Sequence, residues 1–138
     1  MKQEEKIDLV CGMDLTEVAD AAIISYQNRA LYFCGEDCKE KFETNPKKFQ
    51  EEPLIKLKRV WKVFKMGDAE TRVLQGVDLH IWKGDFVAII GASGSGKSTA
   101  LNMIGLLDTP TSGSIFFNNK DLSSLTDEER ALLRSQKF

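Results

Sequence analysis

The stretch Gly91-Ala92-Ser93-Gly94-Ser95-Gly96-Lys97-Ser98-Thr99, which reads GASGSGKST, decides the fold of the second half of this 138-residue sequence. It matches the complete pattern G-x-x-x-x-G-K-[ST], in which a glycine-rich loop surrounds a polyphosphate with backbone N–H groups. Gly94 and Gly96 allow the open backbone path that such a loop needs. These nine residues therefore form a candidate phosphate-binding loop.

The polar residues of the loop have distinct expected roles. Lys97 places a compact positive charge near the terminal phosphates, and it is the candidate catalytic residue. Ser98 offers a hydroxyl to Mg2+, whereas the adjacent Thr99 is the weaker candidate for that ion. A helix that begins here would add the positive end of its dipole.

The flanking residues favour a nucleotide site over a flexible glycine- and serine-rich linker. Phe86-Val87-Ala88-Ile89-Ile90 is an apolar run typical of a parallel strand covered on both faces. Leu101, Ile104 and Leu107 follow at helical spacing, and Asp108-Thr109-Pro110 is expected to stop that helix. A linker would need neither element.

Charge divides the chain into two modules. Residues 1–53 have seven lysine and arginine residues against twelve acidic ones, a net charge of −5, whereas residues 54–138 carry +3. Glu51-Glu52-Pro53 marks the expected boundary. The positive charge of residues 54–138 is too small and scattered to indicate nucleic-acid binding. No apolar run approaches the ~20 residues of a membrane span. The start MKQEEKIDLV predicts no export signal.

Three cysteines, Cys11, Cys34 and Cys38, all lie in the first module. An odd number in a chain with no export signal argues against a disulfide framework. If Gly35 to Thr44 is a helix, Cys34 and Cys38 are one turn apart and face the same way. Thiolates are soft ligands for Cu(I), Zn2+ or iron. The alternative is that the cysteines are small buried apolar residues.

The stretches VCGMDL and SYQNRALYFCGEDCKEKFETNPKKF resemble the YHS (TRASH-like) family of small metal-associated domains. The resemblance covers roughly residues 8 to 49. It implies an α+β module of zinc-ribbon or treble-clef type that binds copper or another heavy metal through Cys11, Cys34 and Cys38. Gln27 stands where some members have histidine, so the fourth ligand stays open among Met13, Asp14 and Asp37.

The second module begins with strand-like alternation on both sides of a turn at Lys65-Met66-Gly67-Asp68. A short strand is expected at Ser114 to Phe117, followed by a turn at Asn118-Asn119-Lys120. Thr126 and Glu129 have the spacing of a capping box that opens another helix.

From RVLQGVDLHIWKGDF through GASGSGKST to LTDEERALLR, residues 54–138 resemble the nucleotide-binding domain of ATP-binding cassette (ABC) transporters of the lipoprotein-releasing and macrolide-exporting type. The resemblance implies an α/β fold of the phosphate-loop NTPase class, with an antiparallel hairpin ahead of the loop strand and helix. It also implies that Phe64 stacks on adenine, with Trp61 as the competing ring.

Four further motifs of the family would follow Phe138: the glutamine loop, the signature motif, the acidic strand end and the switch histidine. The sequence is therefore interpreted as an N-terminal fragment that does not hydrolyse ATP alone. Asp108 is predicted to be a helix-end residue and not the Mg2+-binding acid of the family.

The resemblance implies an ATPase subunit that binds ATP and Mg2+. Such a subunit pairs with a second ATPase subunit and with a membrane permease, and it does not insert into the bilayer. It is expected in the cytoplasm, on the inner face of the cell membrane. Two alternatives remain: a metal sensor or chaperone whose nucleotide part does not hydrolyse ATP, and a different phosphate-loop enzyme such as a kinase or GTPase. The hairpin before the loop and the strand after it disfavour the latter.

Overall fold

The computed structural model describes residues 6–137 and contains two antiparallel sheets. The first five residues, part of the start that predicts no export signal, lie outside the described residues, as does Phe138. Within the described range, no helix is both long and apolar enough to cross a bilayer.

The first module is a hairpin followed by a helix. Strands β1 (Ala22–Tyr26) and β2 (Arg29–Phe33) pair antiparallel, and helix α1 (Glu36–Thr44) follows, as predicted. A single 3-10 turn, Lys48–Gln50, ends the module. Its aromatic core centres on Phe42, whose ring lies 5.3 Å from that of Phe33 and 6.2 Å from that of Phe49.

The second module is built on a four-stranded sheet with the order β4-β3-β5-β6. Strands β3 (Ile55–Met66) and β4 (Ala69–Ile81) form the predicted hairpin, and Gly67 takes the positive φ of 62° that its turn requires. Strands β5 (Ser112–Phe117) and β6 (Lys120–Asp121) complete the sheet. Between β4 and β5 lies helix α2 (Lys97–Ile104), and helix α3 (Asp127–Lys137) follows β6.

Two local predictions after the loop are confirmed. Asn118 and Asn119 both have positive φ and form the turn between β5 and β6. The hydroxyl of Thr126 accepts a hydrogen bond from the Glu129 N–H at 3.2 Å, and the Glu129 carboxylate accepts one from the Thr126 N–H at 2.8 Å. These reciprocal bonds are the predicted capping box.

The prediction of a buried strand at residues 86–90 is wrong for this chain. None of the described strands pairs with this segment, and the side chains of Phe86 and Ile90 are 100% and 91% exposed. A parallel strand of this kind needs hydrogen-bonded neighbours and a cover on each face. The described residues supply neither, so apolar composition alone does not make residues 86–90 a strand.

The helix after the loop ends earlier than Asp108-Thr109-Pro110 predicts. Helix α2 stops at Ile104 and Gly105 caps its C-terminus. Leu106 then turns into the left-handed region, with a φ of 57°, and its side chain is buried in the core. Leu107, predicted to lie on the helix, is instead 66% exposed beyond it. Burying Leu106 requires the chain to leave the helical path.

The two modules share a core at the end of β4. Trp82 is buried among apolar residues of the first module, and its ring meets that of Phe49 edge-on at 5.1 Å. The Cys11 carbonyl accepts a hydrogen bond from the His80 N–H at 2.8 Å. The proposed boundary at residue 53 stays a prediction, and these contacts cross it.

Candidate phosphate-binding loop and metal centre

Lys97 lies folded against the glycine-rich loop that precedes it. Its ammonium donates hydrogen bonds to the carbonyls of Gly91 and Ala92, at 2.6 and 2.5 Å, and lies 3.4 Å from the Ser95 hydroxyl. The charge is therefore held at the mouth of the loop, at the start of α2. A compact ammonium in this position can bind phosphate oxygens, which are stronger acceptors than carbonyls because they are charged.

Two glycines of the loop have the positive φ angles that the motif requires. Gly94 has φ of 79° and Gly96 has φ of 93°. A side chain at Gly96 would also come within 2.9 Å of the Val73 carbonyl, so the loop packs closely on β4. The first glycine, Gly91, is pressed against Ser95, whose hydroxyl would lie 2.6 Å from an added Cβ. The backbone angle therefore favours glycine at positions 94 and 96, and close contacts leave little space for a side chain at positions 91 and 96.

The start of α2 has features of an anion site. No side chain caps its first turn, so its N-terminal N–H groups are not satisfied by a side-chain cap. Ser93 and Ser98 are exposed, whereas Thr99 is half-buried. The expected roles of Ser98 and Thr99 at Mg2+ stay predictions, since they concern ligand contacts.

Phe64 and Trp61 lie on opposite faces of β3. The Lys62 ammonium lies 5.1 Å from the centre of the Phe64 ring and also donates to Asp108 and to the Thr109 carbonyl, just beyond α2. Trp61 instead packs over Gly76, with its indole nitrogen 3.4 Å from a Cβ built there. The face with α2 therefore belongs to Phe64, which is 43% exposed and can accept a stacked base.

Asp108 is not part of the phosphate loop. It lies past the end of α2 and accepts a hydrogen bond from the Lys62 ammonium at 2.8 Å. Burial alone would raise the pKa of Asp108, but the bonds from Lys62 and from the Thr109 N–H lower it below its usual value. Asp108 is thus an ionised partner of Lys62.

The three cysteines converge, although they lie on separate segments. The sulfur of Cys34 is 3.8 Å from that of Cys11 and 3.6 Å from that of Cys38. Ligand sulfurs at the usual Zn–S distance of about 2.3 Å, in a tetrahedron, are about 3.8 Å apart. The spacing therefore suits a single bound metal ion.

Asp8, which the sequence interpretation did not single out, completes this group. The ligand atoms of Asp8, Cys11, Cys34 and Cys38 all lie within 4.8 Å of one another. Asp8 is fully buried, and its carboxylate accepts three backbone N–H bonds, from Val10 and Cys34 at 2.7 Å and from Cys11 at 3.1 Å. Burial tends to raise the pKa of Asp8, but these three bonds lower it below its usual value.

The fourth-ligand candidates from the sequence lie elsewhere. Met13 is 45% exposed, Asp37 is exposed on α1, and Asp14 accepts hydrogen bonds from Thr16 and Arg59. The spacing of an aspartate three residues before a cysteine could have indicated Asp8, because aspartate side chains often bond the backbone two or three residues ahead.

Two of the three thiols, Cys11 and Cys38, have raised pKa values. Burial, with the nearby Asp8 and Cys34, raises the pKa of Cys11 to about 12, and burial also raises that of Cys38. Metal binding must therefore displace protons from these sulfurs. An open groove of about 830 Å3, lined by Cys11, Cys38, His80, Trp82 and residues of α1, leads to the cluster.

Residues 74–137 match the family model described as ABC transporter. The macrolide export ATP-binding/permease protein MacB of Azoarcus sp. is 50% identical over 86 residues, which cover 62% of this chain and 13% of that protein. An uncharacterized ABC transporter ATP-binding protein, MJ1508, of Methanocaldococcus jannaschii is 46% identical over 81 residues, covering 59% of this chain and 36% of that one. The chain thus spans only a minor part of these relatives.

Among solved structures, the dimeric ATP-binding cassette MJ0796, bound to ADP and Pi in a post-hydrolysis state, is 48% identical with a TM-score of 0.56. The match covers 58% of this chain and 34% of that one. The phosphate loop, the hairpin before it and the strand after it agree with this similarity. Residues 74–137 are thus similar to part of an ABC transporter ATP-binding domain.

Proposed function

We propose that this chain belongs to the ATP-binding subunit of an ABC-type export or lipoprotein-release transporter, and that its first module binds a soft metal ion. The observation that carries the nucleotide part is the position of the Lys97 ammonium, which bonds the carbonyls of Gly91 and Ala92 at the mouth of the loop. The similarity to MacB and to MJ0796 supports the same proposal.

In this proposal the loop binds the phosphates of ATP with Mg2+. Backbone N–H groups from Gly91 to Thr99 surround the phosphates, Lys97 contacts the terminal ones, and the Ser98 hydroxyl holds the cation. Bound Mg2+ supplies charge neutralisation at the phosphates. Phe64 stacks on the base from the face of β3 that carries α2.

The transport role adds partners that this chain does not contain. A second ATPase subunit would face the loop across the nucleotide, and a membrane permease would be moved by ATP binding and hydrolysis. This assignment places the subunit in the cytoplasm, on the inner face of the cell membrane. Similarity to an export ATP-binding/permease protein and to a dimeric cassette supports it.

The test of the nucleotide part is titration of the whole chain with a fluorescent ATP analogue and Mg2+. Lys97→Ala should weaken binding by at least tenfold, and Lys97→Arg should not restore it, because a planar guanidinium does not replace a point charge in a tight loop. Lys137→Ala, at the end of α3, is the matched control and should bind as the wild type does. Equal affinity of the Lys97→Ala variant and the wild type would refute the assignment.

The proposed metal site consists of Cys11, Cys34 and Cys38. Their converging sulfurs fit a soft or borderline ion such as Cu(I), Zn2+ or iron. A core as small as that of the first module also gains stability from a bound metal. The metal would help to fix the cysteine loop against α1.

Elemental analysis of the purified chain tests this site. One metal ion per chain is expected, and Cys→Ser at any of the three positions should cost far more affinity than Met13→Leu. A wild-type chain that holds no metal and keeps its circular dichroism in chelator would show that the cysteines are core residues. In that case the competing interpretation of the chain as a metal sensor or chaperone also fails.

A further inference from the structure

We propose that Asp8 is the fourth protein ligand of the cysteine cluster and that it makes the site favour a divalent ion of the zinc class over Cu(I). The inference rests on the proposed metal-binding function of Cys11, Cys34 and Cys38. It names the donor that the sequence left open and the class of ion that the completed donor set prefers.

The position of the Asp8 carboxylate is tied to the cysteines themselves. Its oxygens accept the N–H of Cys11 at 3.1 Å and that of Cys34 at 2.7 Å, so two of the three residues that carry sulfur ligands also hold the carboxylate. The third bond, from Val10 at 2.7 Å, fixes the same loop. Oxygen and sulfur donors therefore keep their relative positions without a metal.

The carboxylate retains capacity for a cation. An ionised carboxylate offers about four lone-pair sites on its two oxygens. Oδ1 accepts the bonds from Val10 and Cys11, whereas Oδ2 accepts the bond from Cys34. Oδ2 therefore has a lone pair left for coordination. The three N–H bonds orient Asp8 as outer partners orient metal ligands elsewhere.

An oxygen donor changes which ion the site prefers. Zn2+ accepts both sulfur and carboxylate oxygen in a tetrahedral site, whereas Cu(I) is selected by soft thiolate and thioether donors. The one thioether nearby in the chain, Met13, is exposed and outside the donor group. Three thiolates and one carboxylate carry four negative charges, of which a divalent ion neutralises more than a monovalent ion does. Because uncompensated buried charge is costly, this also favours the divalent ion.

Competition titrations of the full chain with Zn2+ and with Cu(I), each against a chelator of known affinity, test the inference. Asp8→Asn should weaken Zn2+ binding at least tenfold and Cu(I) binding by less than threefold. If Asp8 only positioned the cysteines, the substitution would lower the affinities for both ions equally, and that result overturns the proposal. Asp37→Asn, which changes an exposed acid of α1 outside the donor group, should alter neither affinity.

A second variant covers the case in which Asp8→Asn does not fold. Asp8→Cys should bind Co2+ with a thiolate-to-metal absorption band stronger than that of the wild type, in the ratio of four thiolates to three. An unchanged band means that residue 8 does not reach the metal, and the proposal is wrong. A wild-type chain that binds neither ion refutes the cysteine site itself. If binding depends on the cysteines but Asp8→Asn lowers the Zn2+ and Cu(I) affinities equally, only the role of Asp8 is refuted.

Discussion

The indole Nε1 of Trp82 donates a hydrogen bond to the carbonyl of Val10 at 2.8 Å, which joins the end of β4 to the loop that carries Cys11. Trp82 is 5% exposed and lies 72 residues from its acceptor. The residue just before the cysteine is thus held by a side chain that precedes the phosphate loop in sequence. The candidate metal site is therefore supported by the second module.

Trp82→Phe tests how much this bond stabilises the chain. Phenylalanine keeps most of the aromatic packing but leaves the buried Val10 carbonyl without its partner, which costs about 1–3 kcal/mol of unfolding free energy. Urea unfolding followed by far-UV circular dichroism measures the change. Trp61→Phe is the matched control, because its ring packs over Gly76 on the sheet of the second module. It leaves the bond between Trp82 and Val10 intact and should therefore lower the unfolding free energy less than Trp82→Phe does.

Gly12→Ala should destabilise the contact between the modules. Gly12 has φ of +85°, and an added Cβ would lie 2.5 Å from a ring carbon of His80. The backbone strain alone is worth about 1–3 kcal/mol, and the steric overlap adds to it. Gly35→Ala is the control, because that backbone is extended and nothing lies within 4 Å of a Cβ there. If both variants unfold at the same urea concentration, the described contact does not form.

Phe64→Ala should weaken ATP binding by about 1–3 kcal/mol, the range for stacking of a base on an aromatic ring. Trp61→Ala should leave the affinity close to that of the wild type, since Trp61 lies on the opposite face of β3. Fluorescent-nucleotide titration of the three proteins measures the difference. The reverse order of affinities would assign base stacking to Trp61.

The ion pair between Asp108 and Lys62 should make stability depend on pH. Because the folded-state pKa of Asp108 lies below its unfolded value of 3.8, the pair's contribution is present above that value and is lost as pH falls through the folded pKa. Asp108→Asn removes the contribution, so the difference in urea midpoint between wild type and variant should be largest at pH 7 and should shrink as pH falls below 3.8. A difference that stays constant with pH would exclude the pair as its source.

The sequence alone was enough to predict the local elements. The hairpin turn at Gly67, the capping box of Thr126 and Glu129 and the helix after Lys97 each depend on residues a few positions apart. Such elements are determined by backbone angles, side-chain capping and helical spacing, which short stretches of sequence encode directly. The spacing of Cys34 and Cys38 likewise predicted that both sulfurs face one way.

Tertiary structure decided what depends on distant partners. The segment at residues 86–90 is apolar enough for a strand, but a strand forms only beside neighbours that hydrogen-bond to it. The end of α2 was decided by the burial of Leu106 in the core, which local signals did not reveal. Asp8 joined the cysteines because the N–H of Cys34, 26 residues away, turns toward its carboxylate. Such relationships arise from packing between distant segments, whereas spacing along the chain could indicate at most the local bond between Asp8 and Cys11.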